Sequence, residues 1–404
     1  MQVPLRPLEA ASWASSVVPG ARYDLSSSTG PGTRGSLGAA LPRTPDETGE
    51  DETAASWDEA EASLVHAIAS RYGVDPIQVA LTPGAGQAIV HALIAMLRPG
   101  DHVVVERPTY EPLHRVPEML GASVARIDRR IEDDWQLLPE RLAKVLTPRT
   151  RAVVLTNLHS PSGVACSPRT IAEIAGLAAR VGATVLVDEV LLDHAFDLGP
   201  AAACRPACLV ADNAICFSST SKGLGLPELR VGWLVSRDPD AARGLRIAAD
   251  YLHRRLPPAT MRLAAHALRD PDDFRIRTAR LAGAGRRVVE RWVQGEPRVE
   301  WIPPHAGLHT LVRLPVGVSD LAFAAHLRAR YETQVIPGSV LEAPQCVRLG
   351  FAAPSSTLEQ GLANFSAALD DLLGGSTLAG PGLAPDRPLL GVVPLRDDDD
   401  PGAA

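Results

Sequence analysis

The sequence has no basic block, no long apolar run and few cysteines. A net charge of −7 is spread thinly over 404 residues. Without clustered Lys and Arg the chain lacks the electrostatic footprint of a nucleic-acid binder. No apolar run reaches the ~18 residues of a membrane helix. The start, "MQVPLRPLEAASWASS", lacks the apolar core of a signal peptide. The five cysteines are an odd, scattered set, which fits reduced thiols and a cytoplasmic protein. Cys204 and Cys208 are spaced "CRPAC" without a second pair, so no metal site is expected.

What is present is apolar and patterned. The chain is 46% hydrophobic, enough for large cores in two domains or in one large domain with a lobe. Residues 1–55 are rich in Pro, Gly, Ser and Thr and are expected to form an extended arm. Helical spacing follows over Trp57–Tyr72 and again in "AGQAIVHALIAMLRPGD". Short β-rich runs then alternate with helical patterns: 102–106, 123–127, 151–156, 183–188, 214–218 and 230–236. That alternation predicts an α/β domain over 56–270 around a mostly parallel central sheet flanked by helices. In such a sheet the strand ends carry the ligand site. A long helical stretch near 240–270 is interrupted at Pro257-Pro258. Residues 271–373 mix helices with short strands and predict a smaller α+β domain. Residues 374–404, with the run Asp397–Asp400, are expected to be a disordered acidic tail.

Chemistry concentrates in "CFSSTSKGLGLPELRVGW", residues 216–233. Lys222 stands among Ser218, Ser219, Thr220 and Ser221, with Arg230 eight residues on. A lysine held in a cleft can form a Schiff base with an aldehyde cofactor. Pyridoxal phosphate (PLP) is such an aldehyde. It needs a phosphate cup, a carboxylate at its ring nitrogen and a flat partner for its ring. Its amino-acid substrate needs an arginine for the carboxylate. Each has a candidate. "TPGAGQAIV" places Ala85, Gly86 and Gln87 at a helix start, whose N–H groups suit a phosphate. Ser219, Ser221 and Arg230 complete the cup. Asp188 ends a buried strand, Tyr110 in "ERPTYEP" follows another, and Arg348 in "CVRLGF" lies in the small domain.

These residues, in this order, resemble the aminotransferase class I/II family of fold-type I PLP enzymes over roughly 60–370. The most specific piece is S-x-S-K…R at Ser219, Ser221, Lys222 and Arg230. The resemblance implies an aspartate aminotransferase-like fold, a homodimer and an amino-acid substrate. It makes Lys222 the catalytic Schiff-base lysine and Asp188 the partner of the pyridine nitrogen. Tyr110 and Val190 would sandwich the ring. Ala85, Gly86, Gln87, Ser219, Ser221 and Arg230 would hold the phosphate, and Arg348 the substrate carboxylate.

The chain departs from the family at two donors to the cofactor's phenolic oxygen. The usual H-N-P-[ST]-G reads His159-Ser160-Pro161-Ser162-Gly163, so Ser160 replaces an Asn. The usual D-E-x-Y reads Asp188-Glu189-Val190-Leu191, so Leu191 replaces a Tyr. A hydrogen bond to a charged group contributes ~1.5–3 kcal/mol, roughly one to two pKa units. The Schiff base is therefore expected to stay protonated to higher pH than is usual in the family. His159 and His194 are the candidate replacement donors. Arg254 and Arg255 are the nearest candidates for a side-chain-recognising arginine. Three functions fit: an aminotransferase; a PLP lyase, decarboxylase, cyclase or oxidase of specialised metabolism; or a non-catalytic effector-binding protein, since "HAGLHTLVRLP" resembles the aminotransferase-like half of certain transcription regulators.

Overall fold

The computed structural model describes residues 7–15, 21–29, 55–194 and 204–374. The acidic run Asp397–Asp400 lies outside them. A short strand, β1 (Tyr23–Asp24), precedes seven that build the larger sheet. These are β2 (Val79–Thr82), β3 (His102–Arg107), β4 (Ser123–Asp128), β5 (Thr150–Thr156), β6 (Thr184–Asp188), β7 (Ala214–Ser219) and β8 (Gly232–Ser236). Their order across the sheet is β2-β8-β7-β6-β5-β3-β4. Strands β3 to β7 run parallel, and β8 lies antiparallel to both of its neighbours.

Val153–Leu155 and Val185–Val187 are wholly buried. Helices cover both faces of the parallel strands, so side chains pointing either way enter a core and the runs are apolar without alternation. Pro112, Pro139, Pro168, Pro239, Pro258 and Pro271 each open a helix. A proline there gives up only an N–H that the first turn leaves unbonded. Ser167 and Asp238 cap two of these helices by accepting from backbone N–H groups.

The register fixes what meets at the sheet's carboxyl edge. Thr156 pairs with Asp188, and Asp188 with Phe217. Ser219 and Thr82 both pair with Gly232. A Cβ on Gly232 would sit 2.8 Å from the Ala85 nitrogen. Only glycine lets β8 approach the turn that opens helix Ala85–Met96.

A second sheet has the order β12-β13-β10-β9 and is antiparallel throughout. Its strands are β9 (Glu300–Trp301), β10 (His309–Arg313), β12 (Ile336–Pro337) and β13 (Cys346–Gly350), and β11 (Thr333–Gln334) pairs in parallel with β1. Helices Pro271–Gly295, Asp320–Tyr331 and Ser355–Gly374 enclose a core with Val289, Phe323, Leu327 and Phe365. The Phe323 and Phe365 rings are 4.4 Å apart between centroids.

Three differences from the sequence reading stand out. The arm contains a helix, Glu9–Ser15, and β1, both too short to carry a period. Strand β2 has four residues and goes unannounced before Pro83. Arg230, placed in a strand over 230–236, lies outside β8 with φ 53°. The 240–270 stretch breaks at Pro257-Pro258 as expected, into Pro239–Leu252 and Pro258–Arg269. No helix among the described residues is long and apolar enough to cross a membrane.

Candidate active site

At the carboxyl edge, Gly84 takes φ 88° and opens helix Ala85–Met96. Thr82 Oγ1 donates to the Gly84 carbonyl at 3.0 Å. A Cβ on Gly84 would fall 2.7 Å from Arg230 Nη2. The missing side chain therefore admits the guanidinium beside a helix start, where N–H groups already favour an anion. Ser221 Oγ lies 2.7 Å from Ser219 Oγ. Thr220 ties the loop down from its N–H to the Val231 carbonyl (3.0 Å) and from its hydroxyl to that of Leu226 (3.2 Å).

Asp188 is buried at the end of β6 and accepts from the Val190 N–H through Oδ1 at 3.0 Å. Burial pushes its carboxyl up to about 7, against the opposing pull of that N–H and of Lys222. Lys222 is half-buried in the cleft, and desolvation with Arg348 and Arg230 lowers its amine to about 7, despite Asp188. Its ordinary value is 10.5. An amine is a nucleophile only when neutral. Capture of an aldehyde by the cofactor-free chain should therefore be half-maximal near pH 7 and climb no further by pH 9, followed by absorbance. Capture still rising tenfold per pH unit above 8 would refute this.

The second sheet closes the cleft. In β10 and β13, Leu311 pairs with Arg348 and His309 with Gly350. Side chains two apart share a face, so His309 and Arg348 both face the cleft. Arg348 Nη2 donates to the Ser26 carbonyl at 2.9 Å, and burial lowers the guanidinium to about 10. Ser160 Oγ lies 3.4 Å from His309 Nε2. Burial first, then Arg348 and Lys222, holds the His309 imidazole neutral.

One cavity of about 360 Å³ gathers Ala85, Gly86, Tyr110, Ser160, Asp188, Val190, Ser221, Lys222, Arg230 and Arg348. Gln87 and Ser219 do not line it. Gln87 is exposed, and its backbone N–H and carbonyl serve Gly84 and His91. Ser219 is buried behind Ser221. His159 is not the replacement donor: its nitrogens are taken by Ser162 Oγ (2.6 Å) and the Pro108 carbonyl (2.9 Å). His194 sits outside the cavity and donates to the Lys222 carbonyl at 3.4 Å. Arg254 and Arg255 line a different concavity of about 590 Å³, where Arg255 pairs with Asp58 at 2.7 Å. That concavity lacks the lysine and the strand-end carboxylate, so it carries no such chemistry. The sequence reading missed Ser28, Thr29, Phe217 and His309 in the wall. Two of them lay in stretches already singled out, His309 in "HAGLHTLVRLP" and Phe217 in residues 216–233.

The residues present fit PLP. A buried carboxylate short of a cation suits a ring nitrogen. A guanidinium seated against Gly84, beside a helix start, suits a phosphate. A depressed lysine suits an aldehyde. Fold and site thus define a PLP-dependent enzyme of the aspartate aminotransferase-like architecture. The family model for aminotransferase class I and II matches residues 32–365, and the chain belongs to that family. It is 33% identical over 304 residues to capreomycidine synthase of Streptomyces vinaceus, covering 74% of this chain and 77% of that protein. A PLP-dependent aminotransferase from Streptococcus suis superposes with TM-score 0.82 at 26% identity, over 91% of this chain and 98% of that one. The PLP-dependent cyclase OrfR does so with TM-score 0.77 at 26% identity, over 92% and 99%.

Proposed function

We propose that the cleft holds PLP on Lys222 and transaminates an α-amino acid, moving its amino group to a 2-oxo acid. The observation that carries this is the convergence of Lys222 and Asp188, from the larger sheet, with Arg348, from the smaller, on one cavity. When bound, the cofactor supplies an electron sink for the bond broken at the substrate's α-carbon.

The chain's own residues do the rest. The helix start at Ala85 and Gly86, with Ser221 and Arg230, holds the phosphate. Asp188 keeps the ring nitrogen protonated, and a cation there returns the carboxyl to its charged form. Tyr110 and Val190 flank the ring. Arg348 takes the substrate carboxylate in a two-pronged bond in place of the Ser26 carbonyl. Lys222, poised near neutrality, carries the proton to and from the α-carbon. In this reading 56–270 and 271–373 are the two domains, 1–55 the arm and 374–404 a tail. The enzyme works as a cytoplasmic homodimer.

A second reading, lyase or cyclase chemistry, is favoured by one feature. Leu191 is buried and cannot donate, and the Ser160 hydroxyl is shared with His309. An altered contact at the phenolic oxygen changes where the substrate's proton returns. The test is a panel of amino acids offered to the holoenzyme with and without pyruvate. Consumption only with pyruvate, with alanine formed, is expected. Ammonia or carbon dioxide release without any oxo acid overturns transamination in favour of the second reading.

A further inference from the structure

Lys222 Nζ donates to Ser28 Oγ at 2.6 Å, across 194 positions of sequence. We propose that Ser28 is a catalytic residue, whose hydroxyl holds the Lys222 amine and aims its lone pair into the cleft. The proposal rests on Lys222 being the cofactor lysine.

Ser28 is brought to the lysine by contacts that do not involve it. Leu25 N–H donates to the Gln334 carbonyl (2.9 Å), and Gly350 N–H donates to that of Leu25 (2.8 Å). Ser26 is turned by Asp24, which accepts from its N–H (2.8 Å) and its hydroxyl (2.5 Å). Arg348 Nη2 grips the Ser26 carbonyl two residues before Ser28. A Cβ on Gly350 would strike the Ser27 carbonyl, so the strap lies directly on β13. Ser27 Oγ donates to the Thr29 carbonyl (2.7 Å) and accepts from the Thr29 N–H (3.1 Å), which bends the chain around Ser28. A segment fixed on the smaller sheet thus delivers one hydroxyl to the reacting nitrogen of the larger.

The chemistry follows from the amine. A neutral lysine has two N–H bonds and one lone pair. Spending one N–H on Ser28 leaves two orientations of the head group instead of free rotation. When Lys222 takes a proton from a substrate carbon, the lone pair must already point at that carbon, and misplacement by about 1 Å costs on the order of 100-fold. Ser28 also accepts better from an ammonium than from an amine, so it favours the protonated form. The other groups bearing on this amine are Asp188, which raises it, and Arg348 and Arg230, which lower it. His309 faces the same amine as a neutral ring. Tyr110 lines the same cavity and feels the charges of Asp188 and Arg230.

Ser28→Ala and Ser28→Thr test this. Cofactor-free protein is mixed with PLP between pH 5 and 9, reduced with borohydride, and the labelled lysine is located by mass spectrometry. The chain has only two lysines, and the other, Lys144, is exposed. With Ser28→Ala, label is expected at Lys222 and capture below pH 6 about tenfold faster, because the acceptor for the ammonium is gone. Exchange of the substrate's α-hydrogen in heavy water should slow about 10- to 100-fold, at unchanged cofactor affinity. Ser28→Thr, which keeps the oxygen, should restore both. Label at Lys222 with capture and exchange unchanged in Ser28→Ala overturns the role of Ser28. No label at Lys222 in the unaltered chain overturns the cofactor lysine itself, a separate result.

Discussion

Lys222→Ala is expected to abolish amino-acid turnover, lowering it by at least about 10⁴-fold. Borohydride treatment with excess PLP should leave the 216–233 segment unlabelled. The size of the effect follows from the two duties that the proposed function gives one nitrogen, holding the aldehyde and carrying the proton. Misfolding would give the same loss of activity, but it predicts the opposite thermal behaviour. Burial depresses the Lys222 amine to about 7, so the folded chain disfavours its charge. Removing it should leave the cofactor-free protein as stable as before or slightly more so, as expected where an active site is bought at the expense of stability. A melting temperature that falls by more than a few degrees would mean that the lysine is a structural element. Retained turnover would remove the basis of the proposed function.

Asp188→Asn should cost about 10²- to 10⁴-fold in turnover while leaving cofactor attached. An amide is nearly the same shape and can still accept from the Val190 N–H, but it has no charge with which to hold a protonated ring nitrogen. The pH behaviour has a definite sign. Asp188 raises the Lys222 amine, so its neutralisation should move the midpoint of aldehyde capture below 7. Capture near pH 7, where the carboxyl is about half charged, then speeds up as turnover collapses. Both readouts can be taken from one preparation, by absorbance and by coupled assay. A variant that keeps normal turnover would show that the carboxylate merely caps the start of the next turn, as strand-end aspartates often do.

Much of the larger sheet was legible because it is buried on both faces. Continuous Val, Leu and Ile runs separated by amphipathic helices permit few other arrangements. The chemistry between Cys216 and Trp233 was legible for another reason. Strand end, hydroxyls, lysine and arginine all fall within eighteen consecutive residues, so local order carried spatial order. Sequence could place Asp188 and Arg348 only as candidates. It could not distinguish Ser221, which lines the cavity, from Ser219, buried behind it.

By itself, then, the sequence determined an α/β scaffold and offered a lysine and a carboxylate for one edge of it. Tertiary structure alone decided what stands opposite them. The reversed direction of β8 sets Arg230 beside Gly84. The pairing of β10 with β13 turns His309 toward Ser160. A strap near residue 28 reaches a lysine 194 positions away. Those contacts close over long stretches of chain, and no local period or propensity encodes them. Backbone pairing between distant segments fixes them, and it leaves no mark on the order of the residues.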